Sequence, residues 1–339
     1  MDFFDRILKV EGISRDDLEE LGRARVAIIG LGGVGANVAI NLVRNGFKNF
    51  KLVDPDILTY TDVYRGGVFK AGDTGYFKVE VVRKALAEVS PDVDITIYPM
   101  MLTDFNIERI LKGVDLIIDA TDNVYSKALI NRYSVAENIP VIYSAVKSNS
   151  GRVLFLEPSE TACFECIHPN IEDVTHGYID GYGFQYMYSL VSSIVSWEAT
   201  SYFLGYDSKL YGSILKIESG FQLEVKPIPT NPRCPVCSSE GNIVYPEIDY
   251  QHFMKGKTFI YTSDERVRLD IERLSRELAK NYILFRRGDV GVYFEYNKNV
   301  KAGVAYTGTV VLDGVEEFDE AVNITRRLVE DIFYRFVID

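Results

Sequence analysis

All four cysteines of this 339-residue chain fall into two Cys-x-x-Cys pairs, Cys163/Cys166 in TACFECIHP and Cys234/Cys237 in NPRCPVCSS. Each pair fits on one short turn. Two such turns brought together offer four thiolates in the tetrahedral arrangement that zinc prefers. Disulfides are the other use of paired cysteines. The start of the chain, MDFFDRILKVEG, has neither the basic region nor the long apolar region of a secretory signal. The expectation is therefore a reducing, cytoplasmic setting and a structural zinc held by Cys163, Cys166, Cys234 and Cys237.

A second constellation lies upstream. Gly30, Gly32, Gly33 and Gly35 form GLGGVG after an apolar run and before a helical pattern. Glycines at this spacing permit a tight turn and let a phosphate approach the N–H groups at the positive end of a helix. Asp54 ends the next apolar run, where a carboxylate can accept hydrogen bonds from a ribose. These features fit NAD and ATP equally well. Arg65 and Lys78 follow in and just after a long polar connection, where cations can reach the outer phosphates that NAD lacks. Asp122 falls beyond a fourth apolar run and can hold Mg²⁺ on a triphosphate. The plain alternatives are that Arg65 and Lys78 are solvated charges and that Asp122 caps the helix beginning NVYSKALI.

The elements that must position these residues alternate regularly. Strands are expected at RVAIIG, FKLVD, DITIYP, VDLIIDAT and PVIYSAV. Helices are expected over residues 16–23, 36–45, 76–89, 105–112 and 126–137. Five β–α alternations imply an α/β, doubly wound, Rossmann-like and mostly parallel sheet. RVLFLEP and the strands near residues 213–217 and 222–225 read as an antiparallel extension. A domain boundary is placed near residue 245, in SSEGNIVYPEIDYQ. It separates residues 1–245 from a small C-terminal α+β domain, residues 246–339, read as β-α-β-β-β-α and carrying no catalytic motif.

Composition narrows the partners. The formal net charge is −12, which argues against a protein that grips nucleic acid by counterion release. The most apolar long stretch, residues 187–204, contains Glu198 and several serines, so it reads as a buried helix rather than a membrane span. In the preceding segment His168 and His176 read as exposed or structural. Tyr178, Tyr182, Tyr186 and Tyr188 could line a groove for an extended tail or simply pack.

Taken with their order, these motifs resemble the ThiF/MoeB/E1 superfamily over roughly residues 4–240. The carrying segments are Phe4-Asp5-Arg6-Ile7, the glycine loop, Asp54-Pro55-Asp56, Asp62-Val63-Tyr64-Arg65-Gly66, Gly75-Tyr76-Phe77-Lys78, Asp119 to Asn123, and the two cysteine pairs. The family adenylates the C-terminal carboxylate of ubiquitin-like and sulfur-carrier proteins. The resemblance implies that Asp54, with Asp56 and Asp62 beside it, serves the nucleotide. It implies that Arg65 and Lys78 bind phosphates, that Asp122 holds magnesium, and that Arg6 is donated across a homodimer. Asp62 and Gly66 stand where the family has Asn and Gln. No cysteine remains for a thioester, which points to a MoeB-like member releasing pyrophosphate and an acyl-adenylate. The rivals are a peptide-activating relative from a ribosomal peptide pathway, a weakly catalytic nucleotide-binding partner protein, and a nicotinamide oxidoreductase.

Overall fold

Apolar strands without polar interruption demand cover on both faces, and the chain supplies it. The computed structural model describes residues 4–168, 182–220, 222–238, 243, 251–264, 266–331 and 335–338. Strands β1 (Arg25–Ile29), β2 (Asn49–Val53), β3 (Asp94–Tyr98), β4 (Leu116–Asp119) and β5 (Val141–Lys147) run parallel in the order β3-β2-β1-β4-β5. Chain order reverses between β1 and β4, so a crevice opens beyond their carboxyl ends. Strands β6 (Ser150–Leu156), β7 (Ser213–Glu218) and β8 (Gln222–Pro227) continue the sheet in antiparallel pairing, as expected.

Alternate residues of each strand serve opposite faces. Val26 and Ile28 of β1 enter one core, with helices α2 (Gly35–Asn45), α3 (Lys78–Val89) and α7 (Gln185–Phe203). Ala27 and Ile29 enter the other, with α4 (Ile107–Leu111) and α5 (Val124–Glu137). Helix α1 (Arg15–Arg23) is opened by a capping box between Ser14 and Asp17. Helix α2 stops at Gly46, whose φ of 110° is left-handed. Helix α6 (Phe164–Ile167) is one turn carrying the first cysteine pair. Among the described residues no helix is long and apolar enough to cross a membrane, and α7 is a core helix.

The C-terminal segment departs from expectation. It contains β9 (His252–Lys255), β10 (Thr258–Tyr261), α8 (Ile271–Leu278), β11 (Ile283–Arg287), β12 (Gly291–Glu295), β13 (Lys301–Ala305), β14 (Val310–Asp313) and α9 (Phe318–Asp331). The order is thus ββαββββα rather than β-α-β-β-β-α. The run AYTGTVVL turns between β13 and β14, with Gly308 donating to the Ala305 carbonyl at 3.0 Å, and so adds a strand to the expected pattern. The glycine turn signals were there at Lys255-Gly256 and Thr307-Gly308, and each makes a hairpin. Val267 precedes α8, whose buried stripe is Ile271, Leu274 and Leu278. All six strands form one antiparallel sheet, β11-β12-β13-β14-β10-β9.

One face of this second sheet packs on α8 and α9. The other face joins the core of the first unit through Ile260, Val290, Ala305 and Val311. Close approach depends on missing side chains. A Cβ on Gly303 would lie 2.0 Å from Ile57 Cδ1, and one on Gly291 would lie 2.4 Å from Phe77 Cε2. Tyr306 donates its hydroxyl to the Ile97 carbonyl (2.9 Å) and Thr307 to that of Pro99 (3.0 Å). The two sheets are therefore tied at the carboxyl end of β3, beside the crevice. The expected boundary near residue 245 lies outside the described residues.

Candidate active site

The glycine loop links β1 to α2 in the shortest available way. A Cβ on Gly35 would sit 1.9 Å from the Gly30 carbonyl oxygen, so only glycine lets the loop close. Gly33 lies beneath the Tyr188 ring, 2.6 Å from its nearest atom to an added Cβ, whereas Gly32 faces open space. Asp54, buried at the end of β2, accepts from the Leu31 N–H (2.6 Å) and the Asp56 N–H (2.8 Å). Its carboxylate thus fixes the loop and the Asp-x-Asp segment together. Burial pushes the Asp54 carboxyl above the usual range, against the pull of Lys78.

Lys78 opens α3 and its side chain is 5 % exposed, which removes it from the class of solvated surface charges. Its Nζ lies 2.8 Å from Asp56 Oδ2 and 3.5 Å from Asp62 Oδ1. Burial opposes the Lys78 charge, yet Asp56, Asp62 and Asp54 outweigh it and hold the ammonium well above the usual lysine range. Asp62 also pairs with Arg65, accepting from its Nε at 3.2 Å, and takes the Thr59 N–H at 2.8 Å. Burial opposes its charge too, but Lys78 and Arg65 prevail and the carboxyl stays far below the carboxylate range. The negative charge at Asp62 is thus compensated on both sides. Gly66 has a steric reason: a Cβ there would meet the Phe69 ring at 2.2 Å. Asn37 of α2 accepts from the Gly67 N–H at 2.8 Å and donates to the Arg65 carbonyl at 3.2 Å, which fixes the Arg65 segment over the loop.

These groups surround one cavity of about 550 Å³ at the crevice. Gly30, Gly32, Gly33, Asp54, Asp56, Asp62, Arg65, Lys78 and Asp122 all line it, and Met100, Met101 and Leu102 add an apolar wall. Gly35 lies behind the loop. Asp122 is not the cap of α5, because Asn123 accepts from the Ser126 N–H at 2.7 Å in that role. Its carboxylate is instead half-exposed and ion-paired with Lys255 of β9. The second sheet also supplies Phe253 and Tyr293 to the cavity. Arg6 is exposed on the N-terminal turn and is absent from the lining of its own chain's cavity.

The four cysteine sulfurs lie within 4.8 Å of one another, with Cys163–Cys234 at 3.5 Å and Cys166–Cys237 at 3.4 Å. Zinc–sulfur bonds of about 2.3 Å require tetrahedron edges of roughly 3.8 Å, so the donor set fits that ion. Helix α5 carries the first turn. Asn131 accepts the Phe164 N–H at 2.9 Å, and Arg132 grips Glu165 through Nε–Oε1 (2.9 Å) and Nη2–Oε2 (3.0 Å), fully buried. His168 is exposed with its ring 4.8 Å from that of Phe164. His176 and Tyr178 lie outside the described residues. Tyr182 and Tyr186 are exposed, whereas Tyr188 is buried.

Residues 4–238 match the ThiF family. The chain belongs to it. A ThiF-family protein of this kind is an ATP-dependent adenylyltransferase that activates a carboxylate. Among relatives, the sulfur carrier protein adenylyltransferase of Thermus thermophilus is 29% identical, over 71% of this chain and 92% of its own length. The SAMP-activating enzyme E1 of Haloferax volcanii is 26% identical, over 74% of this chain and 93% of its own. The crystal structure of E. coli MccB superposes with a TM-score of 0.59 at 20% identity, covering 66% of this chain and 67% of that one, a likeness of fold. The ThiF match ends before the second sheet. Sequence reasoning missed Lys255 at the cavity and Asn37 behind it, which holds the Arg65 segment. Tyr188, read as lining a groove or packing, is buried and also lines the cavity, and nothing local to Lys255 marks it.

Proposed function

We propose that the chain adenylates the C-terminal carboxylate of a peptide tail, consuming ATP and releasing pyrophosphate. The observation that carries the reading is one cavity lined by the glycine loop, Asp54, Arg65, Lys78 and Asp122. In the reaction a carboxylate oxygen attacks the α-phosphorus as the bond to pyrophosphate breaks. A carboxylate is already ionised at neutral pH, so no general base is needed. What the protein must supply is position and relief of anion repulsion. Asp54 accepts from the ribose hydroxyls, and the N–H groups of the loop and of α2 face the phosphates. Lys78, held by Asp56 and Asp62, and Arg65, held by Asp62, present fixed cations to the phosphate chain. Asp122 would hold magnesium, which supplies further charge neutralisation when bound.

Other parts follow the same reading. Residues 1–245 form the adenylation unit and residues 246–339 its second wall. The exposed Arg6 fits donation across a homodimer. The four cysteines take a zinc with no open position, and its role is structural. With every cysteine in that cluster, the acyl group leaves as the adenylate rather than as an enzyme thioester.

A peptide terminus is favoured over a globular carrier because a second sheet, beyond the ThiF match, walls the cavity. The fold likeness to MccB, solved with N-formylated MccA, points the same way. The second reading, a sulfur-carrier protein, is favoured by the names of the Thermus and Haloferax relatives. ATP–pyrophosphate exchange tests both. Short peptides and Gly-Gly-ending small proteins encoded beside this chain's gene are supplied in turn, each with a free or an amidated C-terminus. Exchange that needs one free peptide terminus supports the proposal. Exchange only with a folded carrier replaces it with the second reading, and exchange with neither removes carboxylate activation.

A further inference from the structure

The cavity is acid-rich. Five aspartates face only Arg65, Lys78 and Lys255 among its described lining residues. Arg65 and Lys78 are already committed to Asp62 and Asp56. A triphosphate and a carboxylate entering this space therefore need a further cation, and the second sheet provides one. Lys255 ends β9, the edge strand, opposite Thr258 of β10. Its ammonium reaches across 133 residues of sequence to Asp122.

The Lys255–Asp122 pair differs from the cavity's other ion pairs in one respect. Lys78 is 5 % exposed and Arg65, on Asp62, is 25 % exposed, so both of those cations are held more deeply. Lys255 and Asp122 are 37 % and 41 % exposed. An open pair of this kind gains little over its solvated partners and exchanges readily. Its backbone, by contrast, is fixed, because the sheet behind it is seated on Ile57 and Phe77 through Gly303 and Gly291.

We propose that Lys255 is a nucleotide-contacting residue, exchanging its Asp122 partner for a phosphate oxygen when magnesium nucleotide takes Asp122. The C-terminal domain then completes the active site of its own chain. This rests on the adenylation reading but not on the identity of the acyl substrate. The device spares Asp122 from standing unpaired between turnovers and delivers a cation where the triphosphate charge arrives.

The test is calorimetric binding of α,β-methylene-ATP to the full chain, with saturating Mg²⁺ and with EDTA. Lys255→Ala should weaken binding about tenfold or more with Mg²⁺, the loss of one charge-assisted contact. The loss should be smaller in EDTA, where Lys255 stays on Asp122, and Lys255→Arg should restore most of it. Asp122→Asn removes the carboxylate that competes for the lysine, so its binding in EDTA should be tighter than that of wild type. Equal affinities for wild type and Lys255→Ala would overturn the role of Lys255 while leaving adenylation standing. So would an equal loss with and without Mg²⁺. A wild-type protein that binds no nucleotide would overturn both.

Discussion

Lys78 Nζ lies 2.8 Å from Asp56 Oδ2, and the lysine is shielded from water while the aspartate opens onto the cavity. The pair converts a flexible side chain into a fixed cation. A solvated lysine loses conformational freedom whenever it binds a phosphate. This one has lost it on folding, so on the adenylation reading proposed above its charge is already in place for a phosphate.

Lys78→Ala should therefore lower the exchange rate by about a hundredfold or more, the range expected when a fixed electrostatic donor is removed. Zinc content should not change, because the cysteine cluster makes no contact with Lys78. Stability should fall as well, since Asp56 and Asp62 both lose the Lys78 cation. Exchange at the wild-type rate would exclude Lys78 from the mechanism.

Asp62 gives a pH-dependent prediction. Its folded pKa is depressed because Lys78 and Arg65 overcome the opposing effect of burial. A depressed carboxyl stabilises the fold above its unfolded value near ~3.9 and loses that contribution as pH falls toward the folded value. Asp62→Asn should cost about 3 kcal/mol at pH 7, within the range for breaking a buried pair. The gap from wild type should narrow below about pH 4, where the unfolded carboxyl is protonated. Urea unfolding at pH 7, 4 and 3 checks this. A gap that is constant with pH would mean that the charge at Asp62 is immaterial.

The seam between the two sheets is tested at Gly303. A side chain there meets Ile57 at once, and Ile57 lines the cavity. Gly303→Val should destabilise by about 1–3 kcal/mol through overpacking. It should also weaken nucleotide binding, because the wall carrying Lys255 shifts. Loss of stability with unchanged nucleotide affinity would show that the seam does not position the site.

Much of this arrangement was legible in the chain, for local reasons. Gly30 to Gly35, Asp54 and Asp122 all stand at strand ends, where sequence spacing maps directly onto the crevice. The alternation of β1–β5 with helices, and so a mostly parallel sheet, follows from period and connection; their spatial order came from the structure. Asp62 was legible as a residue and not as a role. Its partners lie three residues away at Arg65 and sixteen away at Lys78, and only the turn between them brings all three together. Lys255 was illegible because its meaning depends on how the second sheet docks. That docking is set by small residues such as Gly303, whose only signal is the absence of a side chain. The hairpins at Gly256 and Gly308 were misjudged by reading apolar runs ahead of their turn signals.

The cysteine cluster yields the last prediction. Its two turns follow β6 and β8, so a metal there ties the antiparallel extension of the sheet to α5 through Asn131, Arg132 and Glu165. The protein should carry one zinc per chain, and Cys166→Ser should remove it. The cost should be at least about 3 kcal/mol. That is well under the 10–16 kcal/mol of isolated zinc-binding peptides, because the surrounding fold already holds the turns in place. Lys78, Asp54 and the glycine loop stand on other elements, so nucleotide affinity at a temperature where the variant remains folded should stay within about twofold of wild type. Metal analysis, thermal unfolding and nucleotide titration on one preparation decide the matter. Loss of zinc with equal loss of nucleotide binding in folded protein would mean that the metal supports the active site itself.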